Sequence, residues 1–525
     1  MHRLSHTILL RVGGNKMYIV TAEEMYELDK LAMKEGGIDG RILMENAGSA
    51  IYEKLVNRVS KKDKIAVVVG GGNNGGDGFV IARYLKENGF TVHVLQLVAD
   101  ERIKGDALFH KELYMRAGNA VTYISSRDQF KAYLAEADVL VDAILGIGMN
   151  GEIREPIRTY IELINNSNLL TLSIDIPSGL PSNEGMHLDK VVRADITYTV
   201  EAWKQAFLCE SFAKYCGVIE TVDIGIPKAA YTSVKPTAKI WTSSSFRNSY
   251  PRREPYSYKG ANGKGLIIGG NQNMPGAAML SARAALRAGA GLLSVATVPE
   301  NRGIIAAGCP EATYHILPNF TRLPDEDTIA LFQTFDGIAI GMGMGRKESS
   351  SSFIQAIMEQ TNVPLLIDAD GLYHFKRNMQ SGIRREGPII ITPHFGEMAM
   401  LTETTIEEVK RNPFALSRKL AERYNLHVVL KGKHTIITAP NGEQLVSNEG
   451  NPGLAKGGTG DVLSGILLTM IMQHEEILPA LANGCFLHGK SAELLISEGK
   501  HSIYDVVASD IVDGLPFVFR TFLEA

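Results

Sequence analysis

Near the C-terminus the chain reads Asn451-Pro452-Gly453-Leu454-Ala455-Lys456-Gly457-Gly458-Thr459-Gly460-Asp461, then the apolar Val462-Leu463-Ser464-Gly465-Ile466-Leu467-Leu468. A glycine-rich loop that opens a helix presents free backbone N–H groups at a positive dipole end, which suits phosphate. Asp461 falls in the first helical turn. A carboxylate there repels an anion unless it takes a proton from an attacking hydroxyl or orients a magnesium-bound phosphate. The pattern points to phosphoryl transfer.

A second loop follows Val67-Val68-Val69 and reads Gly70-Gly71-Gly72-Asn73-Asn74-Gly75-Gly76-Asp77-Gly78. Gly70, Gly72 and Gly75 satisfy GxGxxG, a weak dinucleotide signal on its own. The next strand has no acid at its end for a ribose; Asp100 lies two residues past Val98. Asn73, Asn74 and Asp77 add amide and carboxylate oxygens to the loop. The competing reading is a tight turn in which Asn and Gly supply positive φ. Two further strand ends carry oxygens. One is Val141-Asp142-Ala143-Ile144-Leu145-Gly146-Ile147-Gly148-Met149-Asn150-Gly151-Glu152, the other Asp175-Ile176-Pro177-Ser178-Gly179. In a doubly wound sheet such ends line one crevice, where Asn74, Asp142 and Ser178 could meet. Amide, carboxylate and hydroxyl oxygens without His or Cys suit a hard cation. Against this, Asp142 and Asp175 could simply cap their loops.

The elements that position these residues follow from the apolar pattern. Near-continuous apolar runs at 65–69, 92–98, 139–145, 170–176, 196–200 and 218–224 alternate with helical spacing. That is the pattern of a parallel sheet covered on both faces, a Rossmann-like doubly wound αβα domain. Thr21-Ala22-Glu23-Glu24 reads as a capping box ahead of it. A second βα series has strands at 265–268, 292–298, 337–340, 364–367, 389–391, 427–430 and 435–438. Between the series, Ser243-Ser244-Ser245 and Pro251 to Pro255 break the rhythm. The expected division is an extension at 1–16, a first domain at 17–228, a linker region at 229–255 and a second domain at 256–525. The segment 276–290 is rich in alanine, which serves close helix packing or the approach of a ligand.

Length and composition agree. A chain of 525 residues exceeds one core, so two domains of roughly 200–280 residues are expected. A net charge of −4 gives no reason to expect nucleic-acid binding. Four cysteines without a CxxC pair suggest a reducing cytosol, no disulfide framework and no cysteine zinc site. No apolar run is long enough to span a membrane. Residues 1–16 are short and basic and read as a frayed extension rather than a signal peptide.

The loop 72–78, the segment Leu43-Met44-Glu45-Asn46-Ala47-Gly48 and Asp175-Ile176-Pro177-Ser178-Gly179 resemble the NAD(P)HX epimerase family over about residues 20–225. The resemblance implies that Asn73, Asn74, Gly75, Gly76 and Asp77, the stretch Gly146, Ile147, Gly148, Met149, Asn150, Gly151 and Glu152, and Asp175 touch a hydrated nicotinamide nucleotide. It also implies that Asn74, Asp142 and Ser178 hold potassium. Proton transfer falls to Asp175 or Asp77, and Lys204 stands where the family suggests a substrate-side lysine.

Residues 245–520 resemble the ADP/ATP-dependent NAD(P)HX dehydratase family, which has a ribokinase-like αβα fold. The matching pieces are Lys259-Gly260 with Gly263-Lys264-Gly265, Gly269-Gly270, Gly341-Met342-Gly343-Met344-Gly345, Asp368-Ala369-Asp370-Gly371-Leu372, Thr392-Pro393-His394-Phe395-Gly396-Glu397-Met398, Lys431-Gly432-Lys433-His434-Thr435 and the 451–461 loop. Tyr258, Asn271 and Met342 depart from the family pattern. The resemblance implies that Gly343, His394, Gly396, Glu397 and Asp461 contact substrate, with Asp461 as base. Lys431, Gly432, Lys433, His434 and Thr435 and residues 451–460 contact nucleotide. Asp368 and Asp370 are open between magnesium or substrate contact and helix capping.

Together the resemblances imply a bifunctional isomerase and hydro-lyase. It interconverts the R and S forms of hydrated NADH and NADPH and dehydrates the S form at the expense of ADP, or of ATP, with magnesium. The implied protein is a cytoplasmic homo-oligomer without nucleic-acid or membrane partners. The alternative is a small-molecule or vitamin kinase joined to a non-catalytic nucleotide-binding module.

Overall fold

The β-branched runs form strands because helices cover both of their faces. The computed structural model describes residues 17–149, 151–379 and 385–524. The extension 1–16 and Asn150 lie outside the described residues. Internal contacts divide the chain between Thr237 and Ala238.

The first unit contains β1 (Met17–Val20), β2 (Lys64–Val69), β3 (Thr91–Gln96), β4 (Val121–Tyr123), β5 (Val139–Ala143), β6 (Leu170–Ile174), β7 (Ile196–Val200), β8 (Trp203–Lys204) and β9 (Val218–Val222). Its main sheet runs β4-β3-β2-β5-β6-β7-β9, with every pair parallel. Alternate residues serve two cores. Val67, Val69, Val94 and Val141 pack with Phe79, Ile81 and Leu85; Ala66, Val68, Leu95 and Leu140 pack with Phe130, Leu134 and Ile161. After β2 the chain winds one way to β4, then returns to build β5 to β9 on the other side. The carboxyl ends of β2 and β5 therefore flank the point where winding reverses, the usual crevice of such sheets.

Two further devices place the site. β1 pairs parallel with β8, setting Val20 opposite Lys204. The helix Ala22–Lys34 starts directly after it, capped by Thr21 and Glu24 in a reciprocal box. The Leu43-to-Gly48 motif packs the helix Gly40–Leu55 onto the helix Asn73–Glu87. Met44 lies so close to Gly76, and Val80 so close to Gly48, that a Cβ at either glycine would overlap them.

The second unit contains β10 (Ala238–Ile240), β11 (Lys264–Ile268), β12 (Leu292–Thr297), β13 (Thr313–Ile316), β14 (Gly337–Ile340), β15 (Leu365–Ile367), β16 (Ile389–Ile391), β17 (His427–Leu430), β18 (Thr435–Thr438) and β19 (Gln444–Ser447). Within it the order is β13-β12-β11-β14-β15-β16-β17-β18-β19-β10. Pairing is parallel except at β17–β18 and β18–β19. Residues read as a linker are partly built into the units. Lys228–Val234 is helical, β10 extends the second sheet, and Phe246 of the helix Ser243–Ser249 stacks on Phe486 with ring centroids 4.5 Å apart.

The alanine-rich segment resolves as close packing. The helix Pro275–Arg287 lies against the helix Thr459–Gln473, and a Cβ on Gly465 would overlap the Ser281 carbonyl. The Ser281 hydroxyl donates to the Asp461 carbonyl (2.8 Å), so the small face also seats the first turn of the Asp461 helix. Among the described residues no helix is long and apolar enough to cross a membrane, and all four cysteines are buried, none of them in a disulfide.

Overpacking at such a crossing strains two helices at once. Gly465→Ala is expected to destabilise the second unit by about 1–3 kcal/mol, read as a lower urea midpoint for that unit's transition with the first unit's transition unmoved.

Candidate active sites

In the first unit the helix Asn73–Glu87 begins at Gly72 without a side-chain cap, leaving its first N–H groups for another acceptor. None of the glycines from Gly70 to Gly78 has positive φ. The reading of this loop as a positive-φ turn is corrected: glycine is needed here for approach. A Cβ on Gly70 would overlap the Ile144 carbonyl, and one on Gly75 the Gly70 carbonyl.

Three strand ends meet around Leu145. Asn74 donates from Nδ2 to the Leu145 carbonyl (2.9 Å), while its Oδ1 is buried and has no partner. Asp142, fully buried on β5, accepts from the Ser178 hydroxyl (2.5 Å), the Ser178 N–H (2.9 Å) and the Ser173 hydroxyl (2.8 Å). The Leu145 N–H donates to Ser178 Oγ (2.8 Å). Burial pushes the Asp142 carboxyl up, and the donors named here are all uncharged. A buried carboxylate and an orphaned amide oxygen fit a hard monovalent cation.

Beside this lies an acid cluster. Asp175, at φ +62, follows β6; it accepts from the Val200 N–H (3.1 Å) and from the Lys204 ammonium. Lys204 is 1% exposed and also meets Thr199 Oγ1 (2.9 Å) and the carbonyls of Val200 (2.9 Å) and Ala202 (3.1 Å), so its three protons are committed. Asp77 has no such partner. Burial, then the charges of Asp175 and Asp29, hold its carboxyl well above the usual range. Burial and the Asp175 charge likewise push Asp29, on the helix Ala22–Lys34, up to about 7. Sequence reasoning missed Asp29, which looks like one more polar residue on an amphipathic helix. Only the β1–β8 pairing carries it to this cluster.

The 146–152 stretch is only partly drawn in. Gly146 packs on Asn74, a Cβ on Gly148 would meet Tyr26 Oη at 2.5 Å, and the Ile147 carbonyl accepts from Ser182 (3.3 Å). Met149 closes a turn onto Gly146, Gly151 has φ +87, and Glu152 and Asn73 are exposed.

In the second unit Gly341, Gly343 and Gly345 have φ of +119, +62 and +86, which β-carbon-bearing residues rarely adopt. Asp370 pins this loop, accepting from the Gly345 N–H (2.9 Å) and Arg346 Nε (2.8 Å). Asp368, ending β15, instead faces the site. It accepts from Lys431 Nζ (2.8 Å) and the Ser464 hydroxyl (2.6 Å). Burial alone would raise it, but the Lys431 charge holds it below the ordinary carboxylate value. Lys431 ends β17 next to Gly460, its charge upheld against burial by Asp368 and Glu397.

His394 caps the helix Phe395–Thr402. Its Nδ1 accepts from the N–H groups of Gly396 (3.0 Å) and Glu397 (3.2 Å), while Glu397 Oε2 accepts from the His394 N–H (2.8 Å). Accepting at Nδ1 puts the ring proton on the exposed Nε2, where it can donate to a ligand. Glu397 is raised by burial, with Lys431 opposing.

The 451–461 loop is tied at several points. Asn451 Oδ1 accepts from Gly453 N–H (2.9 Å), and Thr459 Oγ1 reaches the carbonyls of Leu454 (2.8 Å) and Lys456 (2.9 Å). Lys456 Nζ donates to the Tyr504 carbonyl (2.7 Å). Gly458, at φ +89, starts the helix, and Pro452, Ala455 and Gly457 are exposed. Burial and the Asp368 charge push the Asp461 carboxyl up to about 7, with Lys431 opposing. Of the 431–435 segment, Gly432 and Lys433 are exposed, Thr435 opens β18, and His434 is buried, lowered to about 4 by that burial.

These two sites match known proteins along nearly the whole chain. Residues 40–206 match the family model described as YjeF-related protein N-terminus, and residues 265–516 the model for NAD(P)H-hydrate dehydratase. The bifunctional NAD(P)H-hydrate repair enzyme Nnr of Moorella thermoacetica is 33% identical over 97% of this chain and 98% of its own. That of Coxiella burnetii is 33% identical over 91% and 94%. The chain belongs to the bifunctional NAD(P)H-hydrate repair enzymes. It is an isomerase and a hydro-lyase: an NAD(P)H-hydrate epimerase joined to an NAD(P)H-hydrate dehydratase. The reading as a kinase with a passive nucleotide module is not favoured, because the relatives that span both units are repair enzymes. The ADP/ATP-dependent NAD(P)H-hydrate dehydratase of Bacillus subtilis, co-crystallised with ATP and magnesium, is 34% identical. It covers 54% of this chain and 98% of its own, with a TM-score of 0.49.

The acid cluster gives the epimerase unit a pH signature. Asp29 binds its proton more tightly folded than unfolded, so its stabilising contribution is present below about pH 4 and is lost as pH rises through about 7. Asp29→Asn is expected to melt above wild type at pH 8, with the advantage shrinking toward pH 4, as followed by circular dichroism.

Proposed function

We propose that dehydration proceeds by phosphorylation of the substrate at Asp461. The observation that carries this is a carboxyl poised near neutrality in the first turn of a helix opened by a glycine loop, with the Lys431 ammonium beside it. Asp461 takes the proton of the C6 hydroxyl of hydrated NADH or NADPH while that oxygen attacks the terminal phosphorus of the nucleotide. The phosphorus–oxygen bond to the departing AMP or ADP breaks. The ring nitrogen then expels phosphate and C5 releases a proton, restoring the reduced nicotinamide. Residues 451–460 and Lys431 to Thr435 hold the nucleotide, and the loop N–H groups and Lys431 carry charge that develops on the phosphoryl oxygens. Gly343, His394, Gly396 and Glu397 hold the nicotinamide, His394 donating from Nε2.

Magnesium would arrive on the phosphates and supply neutralisation of their charge; among the described residues no group of three acidic or histidine side chains is arranged to hold a metal by itself. Asp370 is spent on the glycine loop. ADP is the preferred donor, with ATP as the alternative.

For epimerisation, we propose that Asp77 gives and takes the proton that opens or re-forms the C6 centre, while Lys204 holds Asp175 against the substrate. The committed Lys204 and Asp77, whose carboxyl burial and the Asp175 charge hold well above its usual range, support this division of roles. Asn73 to Asp77 and the 146–152 stretch bind the nucleotide. Asn74, Asp142 and Ser178 would hold potassium, which would supply the positive charge that buried Asp142 lacks.

Incubating mixed epimers of hydrated NADH with ADP, then with ATP, and following reduced-nicotinamide absorbance tests the pair of activities; complete conversion requires both. Asp461→Asn is expected to lower dehydration by about 10²–10⁴-fold with nucleotide binding retained, and near-normal turnover would sink the assignment. The wild-type rate should rise with pH through about 7 as Asp461 loses its proton. Asn74→Ala should abolish any stimulation of epimerisation by potassium over sodium; undiminished stimulation removes the cation from that site.

A further inference from the structure

The helix Ile477–Ser497 touches both ends of the 451–461 loop and contributes nothing to the chemistry described above. At the loop's start, Glu493 Oε1 accepts from the Gly450 N–H (2.7 Å). Lys490 lies between Glu493 (2.7 Å) and Glu449, the residue before Gly450. The backbones are in contact there: a Cβ on Gly489 would meet the Glu449 carbonyl at 2.5 Å, and one on Gly450 would lie 3.8 Å from Gly489 Cα. Gly450 itself has φ +121. At the loop's far end, buried His488 reaches the Thr459 carbonyl from Nε2 at 3.0 Å. A carbonyl only accepts, so Nε2 is the donor, and burial lowers the ring to about 4.

We infer that His488, Lys490 and Glu493 are positioning residues that clamp the two ends of the nucleotide loop to one helix, setting the reach of Asp461 from one end and the entry of the phosphates from the other. This rests on the reading of the loop as the nucleotide cradle. The physical reason is entropy. A loop with this many glycines gains freedom cheaply, and its N–H groups stabilise a transition state only when they are already aimed. Charged bonds at the start use Lys490, whose three protons satisfy two carboxylates. The far end uses an uncharged donor, which adds no second cation beside Asp461.

The test uses the full-length enzyme, with the urea midpoint of the second unit's transition as the control for intact protein. Lys490→Met and Glu493→Gln are expected to raise KM for ADP about tenfold with kcat little changed. His488→Phe is expected to lower the dehydration kcat by about 10–100-fold, and His488→Gln, which keeps a neutral donor, to recover most of it. Glu493→Gln alters neither size nor shape and keeps an acceptor for the Gly450 N–H, so its KM reads the loss of the charged Lys490 bond at the start of the loop even where Lys490→Met melts. Values of kcat and KM within about twofold of wild type for Glu493→Gln and His488→Phe overturn the clamp. Asp461→Asn run alongside separates the two failures: an active Asp461→Asn removes the cradle reading itself, whereas an inactive one with unaltered clamp variants removes only the clamp.

Discussion

Each unit is organised around one ammonium, buried at Lys204 and half-buried at Lys431, that faces more carboxylates than it can neutralise. In the first, Lys204 is bonded to Asp175, and Asp77 and Asp29 sit within reach of both charges. In the second, Lys431 is bonded to Asp368, and Glu397 and Asp461 feel it from farther off. Taking a charge out of water is expensive, so a buried carboxylate either finds a cation or keeps its proton. One lysine among three acids divides them. The bonded acid anchors the lysine; burial and the neighbouring carboxylates push the others up. That division separates structural from exchanging groups without histidine chemistry.

The folds supply these arrangements by the same route. Parallel strands end together, so residues far apart in the chain arrive at one edge. Asn74 and Ser178 follow β2 and β6, and Asp142 lies at the end of β5; Asp368, His394 and Lys431 follow β15, β16 and β17. Glycines then remove side chains where backbones must touch. Gly70 lets the β2 loop lie on Ile144, and Gly465 lets one helix settle on Ser281, whose hydroxyl holds the Asp461 carbonyl. Stability and reactivity are joined at that point, since the crossing that packs the second core also sets the angle of the catalytic turn.

Much of this was legible in the chain. The long apolar runs became strands, because near-continuous Val and Ile runs bury on both faces, and Thr21 with Glu24 formed the box their spacing announced. Short elements escaped. β4, β13 and β19 are three or four residues long with polar members, and β10 lies where Pro and Ser break the pattern. At the sites, residue types were informative but partnerships were not. Asp368 and Asp370 are two apart and look equivalent, yet one faces Lys431 and the other pins Gly345. The glycines of the 70–78 loop suggested unusual dihedrals, whereas none of them has positive φ and Gly341, Gly343 and Gly345 are among those that do.

The sequence alone determined the chemistry on offer: a glycine cradle with an acid in its first turn, an asparagine loop rich in oxygens, and two βα series to carry them. These are local properties, written in spacing and residue type. Only the tertiary structure decided which acids hold protons. Proton affinity depends on burial and on the nearest charge, and both come from residues far away in the chain or from another strand end. Asp29 enters the first site through a strand pairing, and Asp461 owes its poise to Asp368 and Lys431, neither of them its neighbour in the chain.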